Sequence, residues 1–190
     1  MNHLLHEIRI CTLCASELPF GARPIISTHP NNRLVIVSQA PGSVVHQNGV
    51  AWQDQGGNTL RRWLDLSEDE FYDAEKVGIV PMGFCYPGKG KSGDLPPRKE
   101  CAPLWHPPVF EQLQKIKLIL LVGRYAQQYY LKEQAEKTLT ATVKNYQQYL
   151  HTFFPLPHPS PRNRFWRQKN PWFEETVVPV LQQHIKSILA

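Results

Sequence analysis

The segment Lys117-Leu118-Ile119-Leu120-Leu121-Val122-Gly123 constrains the fold most. Five branched apolar residues in a row, without polar alternation, suit a strand buried on both faces. A helical segment from Arg124 to Leu131 follows Gly123 at once. Two shorter runs behave alike. Leu34-Val35-Ile36-Val37 ends at Ser38-Gln39-Ala40-Pro41-Gly42, and Val77-Gly78-Ile79-Val80 stops at Pro81. Helical spacing marks residues 1–10, a segment from Thr59 to Leu66 with Asn58 as its cap, and a second capped segment opening at Ser67. It also marks residues 101–116, mostly after Pro108, and residues 139–150 and 172–189. Residues 153–157 read as short and extended, and residues 86–99 as a loop too polar to pack. Short apolar strands alternating with helices predict an α/β layered domain with a mainly parallel sheet. In such sheets the functional loops lie past the carboxyl ends of the strands, which here selects residues 38–52, 81–98 and 157–168.

A chain of 190 residues predicts a single domain, 1–190, able to bury a core without disulfides. With 42% hydrophobic and 19% charged residues, neither a disordered chain nor a membrane protein fits. Residues 1–10 lack the apolar core of a signal peptide, so a cytoplasmic protein is expected. The charge excess is local. Lys137, Lys144, Arg162, Arg164, Arg167 and Lys169 fall in a stretch, Lys137 to Phe173, that contains no carboxylate. A basic zone of this kind suits a polyanion, with a merely solvated surface as the plainer reading.

All four cysteines can be placed in one pattern: Cys11-x2-Cys14 near one end, then Cys85, then Cys101. Thiolates in this spacing suit a tetrahedral sulfur site for iron–sulfur or zinc, with four buried free thiols as the alternative.

Taken in order, these motifs resemble the uracil-DNA glycosylase superfamily. Ser38-Gln39-Ala40-Pro41-Gly42 with Gly49-Val50-Ala51-Trp52 is similar to its strand-end motif and the G-x-P-F segment that follows. His158-Pro159-Ser160-Pro161 is similar to its H-P-S-P/G motif, and the Leu118–Ala126 segment to its L-G-x-x-A. The cysteines resemble those of the iron–sulfur branches, families 4 and 5. The resemblance implies a three-layer α/β/α sandwich and a [4Fe–4S] cluster on Cys11, Cys14, Cys85 and Cys101, with zinc as the alternative.

It also implies roles. His158 is the expected donor to the leaving base, and Gln39 a catalytic-site residue. Ala40, Pro41, Gly42, Trp52 and Asn58 are expected to hold the base, with Trp52 as its stacking partner. Ser160, Pro161, Arg162, Asn163, Arg164 and Arg167, with Lys89 and Lys91, are expected on DNA. Phe165 or Trp166 is a candidate wedge, or else packs on the last helix. The pattern departs from the family at four positions. Ala40 and Gln39 stand where relatives carry an aspartate or a glutamate, and glutamine cannot act as a general base. Asp54 is the nearest carboxylate in sequence. Gly42 replaces a bulky residue that excludes thymine, and Pro81 stands where family 4 reads uracil with asparagine. The function implied is a monomeric DNA glycosylase excising uracil or another deaminated or damaged base in base-excision repair. The alternatives are a non-catalytic or weakly active DNA-binding relative carrying an iron–sulfur cluster, and a redox or electron-transfer cluster protein.

Overall fold

A computed structural model describes all 190 residues. In chain order the elements are α1 (Asn2–Arg9), β1 (Leu34–Val37), α2 (Ser43–Asn48), α3 (Gln55–Leu64), α4 (Glu68–Tyr72), β2 (Val77–Ile79), β3 (Lys89–Gly90) and β4 (Gly93–Asp94). They continue with α5 (Cys101–Glu111), β5 (Leu118–Val122), α6 (Arg124–Leu131), α7 (Leu139–Lys144), β6 (Phe153–Leu156), α8 (Arg164–Lys169) and α9 (Val178–Leu189).

Four strands form one parallel sheet in the order β2-β1-β5-β6. Alternate residues of the central strands face opposite ways, and each face has its own core. Leu34, Ile36, Leu118, Leu120 and Val122 pack with Leu60 and Trp63 of α3 and Leu181 and Ile185 of α9. Val35, Val37, Ile119 and Leu121 pack with Ile8 of α1, Val109 of α5 and Leu131 of α6. Two helical layers around one sheet make the three-layer α/β/α sandwich. Pro155, which cannot donate to a ladder, lies on the edge strand β6, where such a residue is tolerated. No helix is long and apolar enough to cross a membrane.

Four boundaries differ from the expectations above. The helix expected from Thr59 starts at Gln55, because Asp54 and not Asn58 caps it: the Asp54 carboxylate accepts the Gly57 N–H at 2.8 Å. The helix expected mostly after Pro108 runs instead from Cys101 to Glu111 and contains Pro107 and Pro108. Its buried residues Ala102, His106 and Val109 hold it against the missing N–H groups. Residues 139–150 divide into α7 and a tighter turn, Tyr146–Tyr149. The supposedly polar loop 86–99 buries Tyr86, Pro87 and Gly88, then folds into the β3–β4 hairpin.

Candidate active site

A cleft of about 390 Å³ opens at the carboxyl ends of the strands. The chain leaves β1 toward β2 and β5 toward β6, so the crevice between β1 and β5 is the switch point of the sheet, where ligands of open α/β folds bind. Segments far apart in sequence meet there: Ser38–Gly42 after β1, Ser92–Asp94 from the hairpin, and His158–Asn163 after β6.

His158 is held from several sides. The Leu156 carbonyl accepts the Gly123 N–H and the buried Gln127 side-chain amide, both at 2.9 Å, and the same amide reaches Leu121 O at 3.2 Å. The ends of β5 and β6 are thereby pinned. Gly123 turns at φ +85°, a conformation that favours glycine, directly beneath the His158 side chain. Asn163 donates its side-chain amide to His158 O at 2.8 Å. The Ser160 N–H donates to His158 Nδ1 at 3.2 Å, so the neutral ring carries its proton on Nε2. Burial lowers the His158 pKa below the ordinary histidine value, against the opposing charges of Asp54 and Asp94. The site therefore holds a neutral imidazole ready to donate.

Trp52 forms a wall of the cleft but is only 7% exposed, and its ring lies 5.5 Å from that of His158 at 35°. Its backbone is left-handed, with φ 62°. Gly57 makes that turn possible, since a Cβ there would fall 1.6 Å from the Trp52 carbonyl oxygen. The same turn carries Asp54 into the cleft as the cap of α3. On the opposite side, Tyr86 donates its hydroxyl to Asp94 Oδ1 at 3.3 Å. Asp94 Oδ2 stands 3.6 Å from the point where a side chain on Gly42 would begin. The absence of a side chain at Gly93 lets the Arg162 guanidinium close onto the hairpin.

A family model for the uracil DNA glycosylase superfamily matches residues 26–182, most of the chain and all of this cleft. The chain belongs to the uracil DNA glycosylase superfamily. A glycosylase-type hydrolase that acts on DNA follows in general terms.

Of the residues expected to serve this glycosylase, Gln39, Ala40, Pro41, Gly42, Trp52, His158, Ser160, Pro161, Arg162 and Asn163 share the cleft. Asn58 does not line it: it lies within α3, where its side chain accepts from Arg61. Lys89 and Lys91 are exposed on the hairpin, outside the lining. Arg164 is exposed, whereas Arg167 is half-buried and paired with Glu174 at 3.4 Å. Phe165 is 75% exposed, while Trp166 packs among Trp172 and Phe173 and donates to Thr140. Asp54 also lines the cleft, as do Asp94, Ser92 and Tyr125, which no motif announced. Only Asp54 carried a readable signal, an acidic residue three before Gly57 at a helix start.

The four cysteines of this superfamily member line one small apolar cavity with Arg98. Cys11 and Cys14 follow α1, Cys85 follows β2, and Cys101 opens α5. The Phe84 N–H donates to Cys101 Sγ at 3.4 Å. Burial pushes the Cys85 thiol up to about 11 and the Cys101 thiol to about 12. Arg98 pairs with Glu17 and Glu100, and its buried Nε has no partner. No three His, Cys, Asp or Glu side chains converge as the ligands of a single ion would.

Proposed function

We propose that the protein is a DNA glycosylase that extrudes and excises uracil or another deaminated or damaged base for base-excision repair. One observation carries the reading: neutral His158, protonated on Nε2, shares a cleft with the Ser38–Gly42 turn and two carboxylates. In the reaction the C1′–N bond breaks and its electron pair leaves with the base. His158 Nε2–H donates to the anionic base, as a preorganised dipole that is present before the charge develops. The sugar becomes cationic at C1′, and the carboxylates of Asp54 and Asp94 favour that charge. Asp54 takes the proton of the water that adds to C1′, and Gln39, which cannot serve as a base, orients that water. This answers the missing carboxylate of the first motif. Trp52 gives the extruded base an apolar wall and is too buried to be a free stacking shelf. Gly42 leaves space for bases larger than uracil, and Pro81 offers no amide to read uracil by. Arg162 and Arg164 supply phosphate charge, and Phe165 is better placed than Trp166 to wedge between base steps.

The cysteine cavity supports a [4Fe–4S] cluster on Cys11, Cys14, Cys85 and Cys101. Four thiols share one cavity, and the orphan Arg98 Nε suits an anionic sulfur cluster, with zinc as the alternative occupant. Such a group, when bound, clamps three chain segments and supplies redox chemistry.

A weakly active DNA-binding relative is the second reading, favoured by Gln39 and Pro81. Duplexes and single strands carrying uracil, hypoxanthine or xanthine, incubated with purified protein and then cleaved by alkali, separate the two. Base release from at least one lesion is expected; binding without release from any of them would favour the second reading.

A further inference from the structure

We propose that Phe20 is a stacking shelf for an unpaired base, so that the protein engages a single-stranded stretch of DNA beside the target nucleotide. The inference rests on reading the cleft as a DNA glycosylase site.

Phe20 lies in the loop before β1 and is 63% exposed. It is not a stray apolar residue. Its ring stacks on Tyr86, with centroids 5.6 Å apart and planes at 22°. His46 flanks both rings, 6.0 Å from Phe20 and 5.9 Å from Tyr86. Tyr86 is 2% exposed and its hydroxyl is fixed on Asp94 in the cleft wall. A supported aromatic column thus runs from the cleft to the surface and ends in an open ring face.

The loop that carries Phe20 touches the segment that opens the hairpin. The point where a Cβ of Gly88 would stand is 2.7 Å from Pro19 Cγ, so the hairpin rests directly on the loop that carries Phe20. Exposed Lys89 and Lys91 project from this hairpin. An open aromatic face with lysines on the adjoining hairpin is the chemistry of single-strand binding: the ring takes a base and the cations take phosphates. Paired bases are already stacked on each other and have no face to offer.

The test is fluorescence anisotropy with an oligonucleotide bearing an unpaired tract and with a blunt duplex, each across a salt series. Phe20→Ala and Phe20→Leu should each weaken binding of the unpaired tract by about 5- to 150-fold, the range for one base–aromatic stack. The slope of affinity against salt should not change, because stacking releases no counterions. Phe20→Trp should retain or strengthen binding, and blunt-duplex affinity should stay within about 2-fold. Lys89→Ala with Lys91→Ala should instead lower the slope. Unchanged binding of the unpaired tract by Phe20→Ala and Phe20→Leu, or an equal loss on the blunt duplex, overturns the proposal. Failure of the glycosylase reading looks different: wild-type protein would release no base from any lesion, with the Phe20 effect on binding intact.

Discussion

At the scale of single residues, two histidines do opposite work. His158 donates to a charge that exists only during reaction, whereas phosphate contacts set most of the affinity for DNA. His158→Ala should therefore slow base release by about 10²–10³ and leave DNA binding nearly unchanged. Equal losses in single-turnover rate and in Kd would reduce it to a docking residue. Because burial lowers its pKa, the rate should hold as pH falls past the ordinary histidine range and decline only on further acidification, when Nδ1 must surrender the Ser160 N–H. His106 is silent in chemistry and costly in acid. It is 2% exposed, with Nε2 at 2.9 Å from Pro81 O and Nδ1 at 2.6 Å from the Tyr130 hydroxyl. Burial drives its pKa down to about 4. The unfolded chain then binds the proton first. The stability contributed by neutral His106 is complete above the ordinary value near 6.5. It is lost as pH falls toward 4, at a cost of about 3 kcal/mol. Denaturant titrations across that window should show a steeper loss of stability with falling pH in the wild type than in His106→Gln, whose remaining slope comes from other groups such as buried His158. His158 was legible from its motif. His106 was not, because its partners lie far off in sequence and no local pattern marks them.

Elements decide which of the expected residues could function. The Trp52–Gly57 turn sets the left-handed Trp52, the Asp54 cap and the start of α3 in one piece. Gly57→Ala must displace backbone, and should lower stability by more than about 3 kcal/mol in a denaturant melt, whereas an ordinary helix Gly→Ala change stabilises. In sequence, two adjacent glycines read as loop, and only the fold reveals that they admit a carbonyl. The basic stretch divides similarly. Arg162→Ala and Arg164→Ala should each reduce the salt slope of DNA binding by about one. Arg167→Ala should leave the slope alone and loosen the corner where Glu174 also accepts the Trp63 indole N–H at 2.9 Å. Charge counting along the chain could not separate these arginines, because the distinction lies in a carboxylate that packs against only one of them.

For the molecule as a whole, the apolar runs foretold the sheet and its functional rim, since strands buried on both faces admit few alternatives. The hairpin that contributes Asp94 stayed hidden because its buried anchors, Tyr86 to Gly88, sit in a stretch of lysine, glycine and proline. The cysteine cavity joins α1, the segment after β2 and α5, so binding there is coupled to folding. Changing any one of the four cysteines to alanine should remove iron and visible absorbance together and lower Tm. A variant that keeps full iron content would take that cysteine out of the ligand set. The parallel sheet also carries a cost in time. β1 is hydrogen-bonded on both sides, and both neighbours lie far along the chain, with three helices intervening before β2 alone. Neither ladder can close as a hairpin, so long loops must be drawn in before a single strand pair is rewarded. Refolding should accordingly be slow for the chain's size, with Leu34–Val37 a sticky, incompletely paired segment until both β2 and β5 arrive.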